Sequence, residues 1–357
     1  MQFRLVIKIY KKLGLFPASF FFRSIWSVSF FLFFLVFSLF SYGQDSSLGF
    51  VSHEGGITLI DLAKNLKLKE IVLPGSFLRG IGLSAEGKTL FVADKSSGSV
   101  LVVDIDEGKI INTIALGQNP EFLRIHPLKK TLFVSYEPDK NQSGSSNRAK
   151  IAQIDIHKEK ILKEFLSGEE TEAIEFSADG TKLLVSNEGE NTIGIYDISS
   201  GKEIKRQSVQ AIGLRPRGLK RAPFGDIYAV TFENSNKVAL FDKDFSLIKE
   251  APTASGPYGV AFDPSAKKLL ILAFRDRKLQ VFEVPTLKLI AEAPVGERSW
   301  HFTFSPDGKK ILVASGRSNK LIVLDAVNFK ELATIEGIKA PWGIVTFPPS
   351  YGSLDNP

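Results

Sequence analysis

The chain has 357 residues, enough for two average domains or one large repetitive one, and 44% of them are apolar, which is ample for a core. Its net charge is +6, but residues 1–43 carry five basic residues and no acid, so the remainder, with 40 basic and 39 acidic residues, is close to neutral. This balance argues against a general polyanion binder. The absence of cysteine excludes disulfides, thiol nucleophiles and zinc–thiolate sites.

The first 43 residues predict export. A basic segment precedes an apolar run from Ile25 to Phe40, and the small residues Ser41 and Gly43 stand at positions −3 and −1 before Gln44. This is the pattern of a secretory signal peptide. The run of 16 residues is shorter than the roughly 20 of a spanning helix. We therefore expect residues 44–357 in the periplasm, at the cell surface or secreted; membrane association through a retained N-terminal anchor is the alternative.

A repeat of about 40 residues follows, with clear copies at "IGLSAEGKTLFVAD", "IEFSADGTKLLVSN" and "FTFSPDGKKILVAS". Each copy has four short apolar strands separated by polar turns, and an acidic residue ends the third strand. We expect these acids to accept hydrogen bonds from the backbone of the turn that follows. They are Asp61, Asp104, Asp155, Asp197, Asp242, Glu283 and Asp325, with successive spacings of 43, 51, 42, 45, 41 and 42 residues. This period, with four strands in each unit, predicts the blades of a β-propeller.

The seven acidic positions predict one all-β domain over residues 44–357, a monomeric seven-bladed propeller of four-stranded antiparallel blades. The first repeat, residues 48–74, supplies only three strands, whereas residues 340–349 supply one. Pro341-Trp342-Gly343 aligns with Pro257-Tyr258-Gly259, which begins a complete repeat. We therefore expect the C-terminal strand to pair with the N-terminal segment and close the ring, leaving no unpaired inner edge.

The repeat unit combines Pro-x-Gly, an apolar strand, a Ser-Pro-Asp-Gly turn, and then "LLVSN", "IGIYDI" and "GKEI". In this combination it resembles the YVTN-type β-propeller repeat. The resemblance covers nearly all of residues 48–349 and is weakest where "RAPFGD", residues 221–226, replaces the turn. It implies an exported propeller with a WD40-like outline. It does not imply a reaction, because function depends on sites carried by a fold.

One repeat position supplies candidate ligand-binding residues. The residue just before the first strand of each blade should lie at one mouth of the central channel, where the seven form a ring. One arc of this ring is charged and the other aromatic, so it is either a plug of paired charges and packed aromatics or a binding mouth. In chain order these ring residues are Arg79, Glu121, Glu172, Arg217, Tyr258, Trp300 and Trp342.

The remaining polar features indicate no recognisable catalytic, cofactor or metal site. The histidines, His53, His126, His157 and His301, have no metal-binding spacing, and we expect them at the surface or in turns. Asp179 and Asp307 precede glycines, which favours a role in turns. The insertion at residues 137–149 should lie on the same face as the ring, as a binding loop or as tolerated elaboration.

These observations predict a non-enzymatic binding or scaffold protein that uses the channel mouth to bind an unidentified protein or small ligand. One alternative is a hydrolase of the lactone type, with Arg79, Glu121, Glu172 and Arg217 recruited for the chemistry. A second alternative is binding of single-stranded nucleic acid through aromatic stacking and a basic cluster. The near-neutral charge of residues 44–357 disfavours this second alternative. Its cluster comprises Arg215, Arg217, Lys220 and Arg221.

Overall fold

A computed structural model describes residues 47–127, 130–138 and 147–355 of the chain. The predicted leader, residues 1–43, lies outside this range, as does most of the 137–149 insertion. The chain divides into the units Met1–Ser46 and Ser47–Pro357, and all the described residues belong to the second. Within the described residues, no helix has both the length and the hydropathy that a membrane span requires.

The described residues form 26 strands in six antiparallel sheets, with one 3-10 helix, Gly316–Ser318. The largest sheet contains, in spatial order, β26 (Gly343–Phe347), β1 (Leu48–Asp61), β2 (Leu66–Leu83), β3 (Thr89–Asp94), β4 (Ser99–Asp104) and β5 (Lys109–Ala115). The second sheet contains β6 (Leu123–Ile125), β7 (Thr131–Tyr136), β8 (Arg148–Asp155) and β9 (Lys160–Glu169). The third contains β10 (Thr171–Phe176), β11 (Lys182–Asn187), β12 (Thr192–Asp197) and β13 (Glu203–Ser208).

The other three sheets repeat the same arrangement. The fourth contains β14 (Pro216–Arg221), β15 (Tyr228–Phe232), β16 (Lys237–Phe241) and β17 (Leu247–Pro252). The fifth contains β18 (Pro257–Phe262), β19 (Lys268–Ala273), β20 (Lys278–Glu283) and β21 (Leu289–Pro294). The sixth contains β22 (Ser299–Phe304), β23 (Lys310–Ser315), β24 (Lys320–Asp325) and β25 (Glu331–Glu336).

Burial falls from the first strand of a sheet to the last. All six residues of β18 are buried, whereas β17 has no buried residue. This gradient is that of blades arranged around an axis, with the first strand innermost and the last at the rim. The prediction of an all-β propeller built from four-stranded antiparallel blades is confirmed. The predicted pairing of the chain's two terminal strands is also present, since β26 pairs with β1 from Leu48↔Phe347 to Ser52↔Gly343.

The acids that end the third strands have the predicted structural role. A side-chain oxygen of Asp104 accepts a hydrogen bond from the Glu107 amide at 2.8 Å, and one of Asp197 accepts from the Ser200 amide at 2.7 Å. Hydrogen bonds from the Ser200 hydroxyl and amide lower the pKa of Asp197 to about 2. Asp179 likewise stabilises its turn, because a side-chain oxygen accepts a hydrogen bond from the Thr181 amide at 2.9 Å.

Glycines of the Pro-x-Gly motif allow neighbouring first strands to approach closely. A Cβ atom on Gly218 would lie 2.3 Å from the carbonyl oxygen of Tyr258, and one on Gly259 would lie 2.4 Å from that of Trp300. No real Cβ tolerates such a contact with backbone, so any side chain here would force β14, β18 and β22 apart.

The histidines and the residues after β26 differ from expectation. Three of the four histidines are buried, His53, His126 and His301 at 5%, 2% and 2% exposed, although His126 directly follows β6 at the predicted turn position. His301 is buried because residues 350–355, called here the C-terminal segment, turn back and pair with β22. The Phe304 amide donates to the Tyr351 carbonyl at 2.8 Å, and the Ser353 amide donates to that of Phe302 at 2.9 Å.

Candidate active site at the channel mouth

Most of the ring residues are preceded, two positions earlier, by a residue with left-handed backbone conformation. Two positions before the ring residue, φ is +50° at Asn119, +51° at Glu170, +61° at Arg215, +52° at Arg298 and +48° at Ala340. This conformation costs a non-glycine residue roughly 1–2 kcal/mol. Strain of this kind is retained where it aims functional side chains, and several of these residues do line the site.

Hydroxyl groups on second strands hold the ring residues of the next sheet by their carbonyl oxygens. The Ser186 hydroxyl donates to the Arg217 carbonyl at 2.9 Å, and the Thr231 hydroxyl donates to the Tyr258 carbonyl at 2.9 Å. Within the six-stranded sheet, the Ser52 hydroxyl of β1 makes the same kind of contact and donates to the Arg79 carbonyl of β2 at 2.5 Å. The ring side chains therefore project from backbone that is anchored on both sides.

Six of the seven predicted ring residues line one cavity with a volume of about 320 Å³. They are Arg79, Glu121, Glu172, Arg217, Tyr258 and Trp300. The seventh, Trp342, is 2% exposed and does not line the cavity. Further residues contribute to its wall, among them Asn119, Tyr136, Glu170, Glu188, Arg215 and Arg298. Glu137 and Ala149, which flank the insertion, also line it, so both ends of the insertion lie on this face.

Arg217 is the centre of a buried charge cluster. Its Nη1 atom lies 2.5 Å from Glu172 Oε1, and its Nε atom lies 2.8 Å from Glu188 Oε2 and 2.6 Å from Glu233 Oε2. Arg215 also contacts Glu188, at 2.7 Å. On the other side of the cavity, Arg79 Nη1 lies 3.0 Å from Glu121 Oε1. The predicted pairing of charges in the ring is thus present and extends to carboxylates outside the ring.

Burial raises the pKa of two carboxyls in this cluster, although Arg215, Arg217 and Arg275 equal its three glutamates in number. Burial, reinforced by the Glu121 carboxylate, raises the pKa of Glu172 to about 7 despite the contact with Arg217. Burial, together with the neighbouring Glu172, raises the pKa of Glu188 to about 9. Carboxyls so close to one another resist simultaneous ionisation. Glu172 is therefore poised to exchange a proton near neutral pH.

The aromatic arc differs from the prediction because its members are not equivalent. Tyr258 is buried, and its hydroxyl donates to Glu172 Oε2 at 3.2 Å. Trp300 remains half-buried at the cavity wall, whereas Trp342 packs inside against His301 with ring centroids 4.2 Å apart. The arcs are also joined by cation–π contacts, since the Arg217 guanidinium lies 5.0 Å from the Tyr258 ring.

Arg298 differs from the other arginines of the cavity. Its guanidinium lies 5.2 Å from the Trp300 ring and 5.1 Å from the Phe274 ring. Among the described residues, no carboxylate lies within 4.0 Å of it. Burial and the nearby cation Arg317 lower the pKa of Arg298, and the Glu233 carboxylate opposes this shift. Arg298 is the cation of the cavity best placed to receive an anion.

The basic stretch considered for nucleic-acid binding does not form a basic surface. Lys220 is 2% exposed, and its ammonium group donates to the Asp355 carbonyl. Arg215 and Arg217 are paired with glutamates as described above. Arg221 also turns inward to backbone, since its guanidinium donates to the carbonyls of Phe176 and Ala222 at 3.1 Å each. The described residues also contain no group of three acidic or histidine side chains that could hold a metal ion.

Sequence reasoning missed Glu188 and Glu233, although a signal for them existed. Each directly follows the second strand of its sheet, and Glu137 occupies the same place after β7. Aligning the repeats at this second position would have shown three acids in consecutive units. Arg298 could have been found in the same way, two positions before the ring, where Arg215 of the predicted basic cluster also stands.

A family model described as "Lactonase, 7-bladed beta-propeller" matches residues 146–249, less than a third of the chain. This range contains Glu172, Glu188, Arg215, Arg217 and Glu233. A search of curated proteins finds no match. The match therefore concerns the very segment that builds the charge cluster.

Several solved structures are similar in fold. The periplasmic gluconolactonase of Pseudomonas aeruginosa has a TM-score of 0.69 and 17% identity, over 84% of this chain and 98% of that one. A provisionally assigned 6-phosphogluconolactonase of Bacteroides uniformis has a TM-score of 0.70 and 18% identity, over 85% of this chain and 100% of that one. Hydrazine synthase of Kuenenia stuttgartiensis has a TM-score of 0.69 and 22% identity, over 79% of this chain and 93% of that one. At such identities these likenesses show the propeller fold.

The comparisons contradict the prediction of a non-enzymatic binding or scaffold protein. The family match is to lactonases, and two of the similar structures have names of gluconolactone hydrolases. The prediction failed because no short catalytic motif marks the site. Its charged groups come from five separate repeats and meet only in the folded protein.

Proposed function

We propose that the protein is a lactone hydrolase whose active site is the mouth cavity. The observation that carries this proposal is Glu172, a buried carboxyl with a pKa of about 7 that lines the cavity and contacts Arg217 and Tyr258. A carboxyl that titrates near the working pH is suited to both halves of a general acid–base reaction. The partial match to a lactonase family supports the choice of substrate class.

In the proposed reaction, the ionised Glu172 removes a proton from a water molecule as the water oxygen bonds to the lactone carbonyl carbon. The carbonyl electron pair moves to its oxygen, and a cationic donor stabilises the resulting oxyanion. Arg298 is the candidate for this donor, because no carboxylate competes for it among the described residues. The tetrahedral intermediate then breaks the ring C–O bond, and the departing alkoxide takes the proton from Glu172. The product is a hydroxy acid, and Glu172 returns to its ionised form.

The remaining ring residues would shape the site around this chemistry. Arg217 is held by three carboxylates and keeps Glu172 in place, while Tyr258 donates to the second oxygen of the same carboxyl. Trp300 offers an apolar surface to the substrate ring. Arg79 and Glu121 would close the opposite wall as a pair. We expect a small-molecule substrate and a monomeric enzyme.

Turnover of sugar lactones by the purified full-length chain tests this proposal, after subtraction of spontaneous hydrolysis. Glu172→Gln keeps the shape of the side chain but cannot accept the proton, so kcat should fall about 10²–10⁴-fold. Glu250→Gln is a matched control, because Glu250 pairs with Lys237 on exposed strand surface. Equal turnover by Glu172→Gln and the wild type would refute the role of this carboxyl.

We also infer that the propeller has seven blades in a closed ring. The chain reverses inside β1 at Gly55, where φ is +92°, and the Leu62 amide donates to the Ser47 carbonyl at 3.1 Å. The partner of β2 likewise changes from β1, which pairs as far as Phe77, to β3, which pairs from Leu78 onward. Division at these points turns the six-stranded sheet into two four-stranded blades. In support, first strands contact one another in the order β2, β6, β10, β14, β18, β22, β26 and back to β2.

Two further proposals rest on the sequence. We propose that the repeats are of the YVTN type, on the Pro-x-Gly and Ser-Pro-Asp-Gly signatures described above. We propose also that residues 1–43 direct export; a periplasmic location of the similar gluconolactonase is consistent with this. N-terminal sequencing of the mature protein tests it, since a start near Gln44 is expected and an intact leader would favour the anchor.

A further inference from the structure

The C-terminal segment is buried next to the floor of the mouth site. Ser353 and Leu354 are each 4% exposed, and Ser353 makes backbone hydrogen bonds to β22 as described above. A second cavity, with a volume of about 10 Å³, lies between this segment and the mouth. Glu172, Tyr258, His301 and Ser353 all line it. Its volume matches that of about one buried water molecule, so the segment and the proposed catalytic carboxyl are close neighbours.

Ser353 fixes the orientation of His301. The serine hydroxyl lies 3.0 Å from His301 Nδ1, within hydrogen-bonding distance. The imidazole is 2% exposed and sits between two aromatic rings, 4.2 Å from that of Trp342 and 5.5 Å from that of Tyr258. Burial and the cations Arg79, Lys220 and Arg124 lower the pKa of His301 well below its usual range. The ring is therefore neutral, and its contribution is steric and hydrogen-bonding.

Tyr258 connects this imidazole to the carboxyl. Its ring meets His301 edge to face, with an interplanar angle of 73°, and its hydroxyl donates to Glu172 Oε2 at 3.2 Å. Such an edge contact constrains the tilt of the tyrosine ring. The tilt in turn decides whether the hydroxyl reaches the carboxyl.

We propose that Ser353 and His301 are positioning residues for Glu172, acting through the ring and hydroxyl of Tyr258. The inference rests on the proposed function, because it gives the C-terminal segment a part in the same site. Without the serine hydroxyl, His301 can rotate and Tyr258 loses its edge contact. A weaker hydrogen bond from Tyr258 to Glu172 destabilises the ionised carboxylate, so its pKa rises. The charged groups that face Glu172, namely Arg79, Glu121, Glu188 and Arg217, are unchanged by this substitution.

Ser353→Ala tests the proposal, with Ser350→Ala as the matched control. Ser350 belongs to the same segment and is also 4% exposed, but its hydroxyl donates to the Ser305 carbonyl at 3.1 Å, away from the site. Two readouts are needed: the pH profile of kcat/KM with a lactone, and a ¹³C NMR titration of the glutamate carboxyls in the full-length protein. The Glu172 signal is assigned by its loss in Glu172→Gln.

In Ser353→Ala the Glu172 midpoint should rise by about half a unit or more, and kcat at pH 7 should fall about twofold or more, with KM unchanged within about twofold. Ser350→Ala should match the wild type in both. The NMR readout does not require activity. A shifted midpoint in a protein without lactonase activity would thus support the positioning role and refute the proposed function. Coincident midpoints for Ser353→Ala and the wild type would overturn the positioning role. If Ser353→Ala does not fold, His301→Gln removes the same ring and should give the same shift.

Discussion

Tyr258 and Glu172 lie 86 residues apart in the sequence, yet the tyrosine hydroxyl donates to Glu172 Oε2 at 3.2 Å. Both belong to the ring at the channel mouth, and the Arg217 guanidinium contacts each of them. Because the contact joins first strands of different sheets, it depends on the angle at which those sheets meet. The pKa of Glu172 therefore depends on how separate sheets of the propeller pack against one another.

Arg217→Ala should strongly destabilise the protein. Glu172, Glu188 and Glu233 would lose their shared cation while remaining buried, and breaking a buried pair typically costs about 3–5 kcal/mol. Urea unfolding at pH 7.5 measures the free energy of unfolding. Arg277→Ala removes an arginine from the exposed pair with Glu297 and should change it by less than about 0.5 kcal/mol. Equal effects of the two substitutions would mean that the cluster is not a stabilising unit.

The pH profile should report Glu172. The base must be ionised, so kcat/KM should rise with pH and level off above a midpoint near 7. Because Glu121 raises this pKa by repulsion, Glu121→Gln should move the midpoint to lower pH. A profile that is flat between pH 5 and 8 (about the range in which such a group titrates) would exclude Glu172 as the base.

The same group predicts the pH dependence of stability. The folded-state pKa of about 7 exceeds the usual glutamate value of 4.5, so between these two pH values the folded protein holds a proton that the unfolded chain has lost. The contribution of Glu172 to stability is therefore full below about pH 4.5 and declines as pH rises towards 7. Glu172→Gln should flatten this part of the curve of unfolding free energy against pH. Parallel curves for variant and wild type would contradict the raised pKa.

The two tryptophans of the ring should behave differently. Trp342 is 2% exposed, so Trp342→Ala leaves a large void and should cost about 3–5 kcal/mol of unfolding free energy. Trp300 is only partly buried and lines the mouth. Trp300→Ala should therefore raise KM more than it lowers the melting temperature. Thermal melts and lactone kinetics on both variants distinguish the roles; a KM effect confined to Trp342→Ala would reverse the assignment.

Ala340→Gly should stabilise the protein by about 1 kcal/mol, because φ at this position is +48° and glycine removes the steric penalty. Ala333→Gly, within β25, is the matched control and should destabilise it by a comparable amount. Urea unfolding of the two variants gives both values. A loss of stability in Ala340→Gly would show that the left-handed backbone is not strained there.

The repeat pattern alone was sufficient to predict the propeller class, the strand pairing of β26 with the N-terminal segment and the register of the ring. In a repeat fold each unit places equivalent positions at equivalent points. Aligning Pro341-Trp342-Gly343 with Pro257-Tyr258-Gly259 therefore predicts that the two segments begin equivalent strands. The turn role of residues such as Asp197 followed in the same way, because its hydrogen bonds are local.

Tertiary structure alone decided which ring residues face the cavity and which charges meet. Trp342 and Trp300 share one register, yet the C-terminal segment and His301 bury only the first. Arg217 draws partners from the ends of β11 and β15, and burial raises the pKa values of Glu172 and Glu188. Desolvation and contacts between distant repeats depend on distances in space. A propeller could therefore be predicted from the repeat pattern of the chain, whereas its proposed chemistry required the folded site.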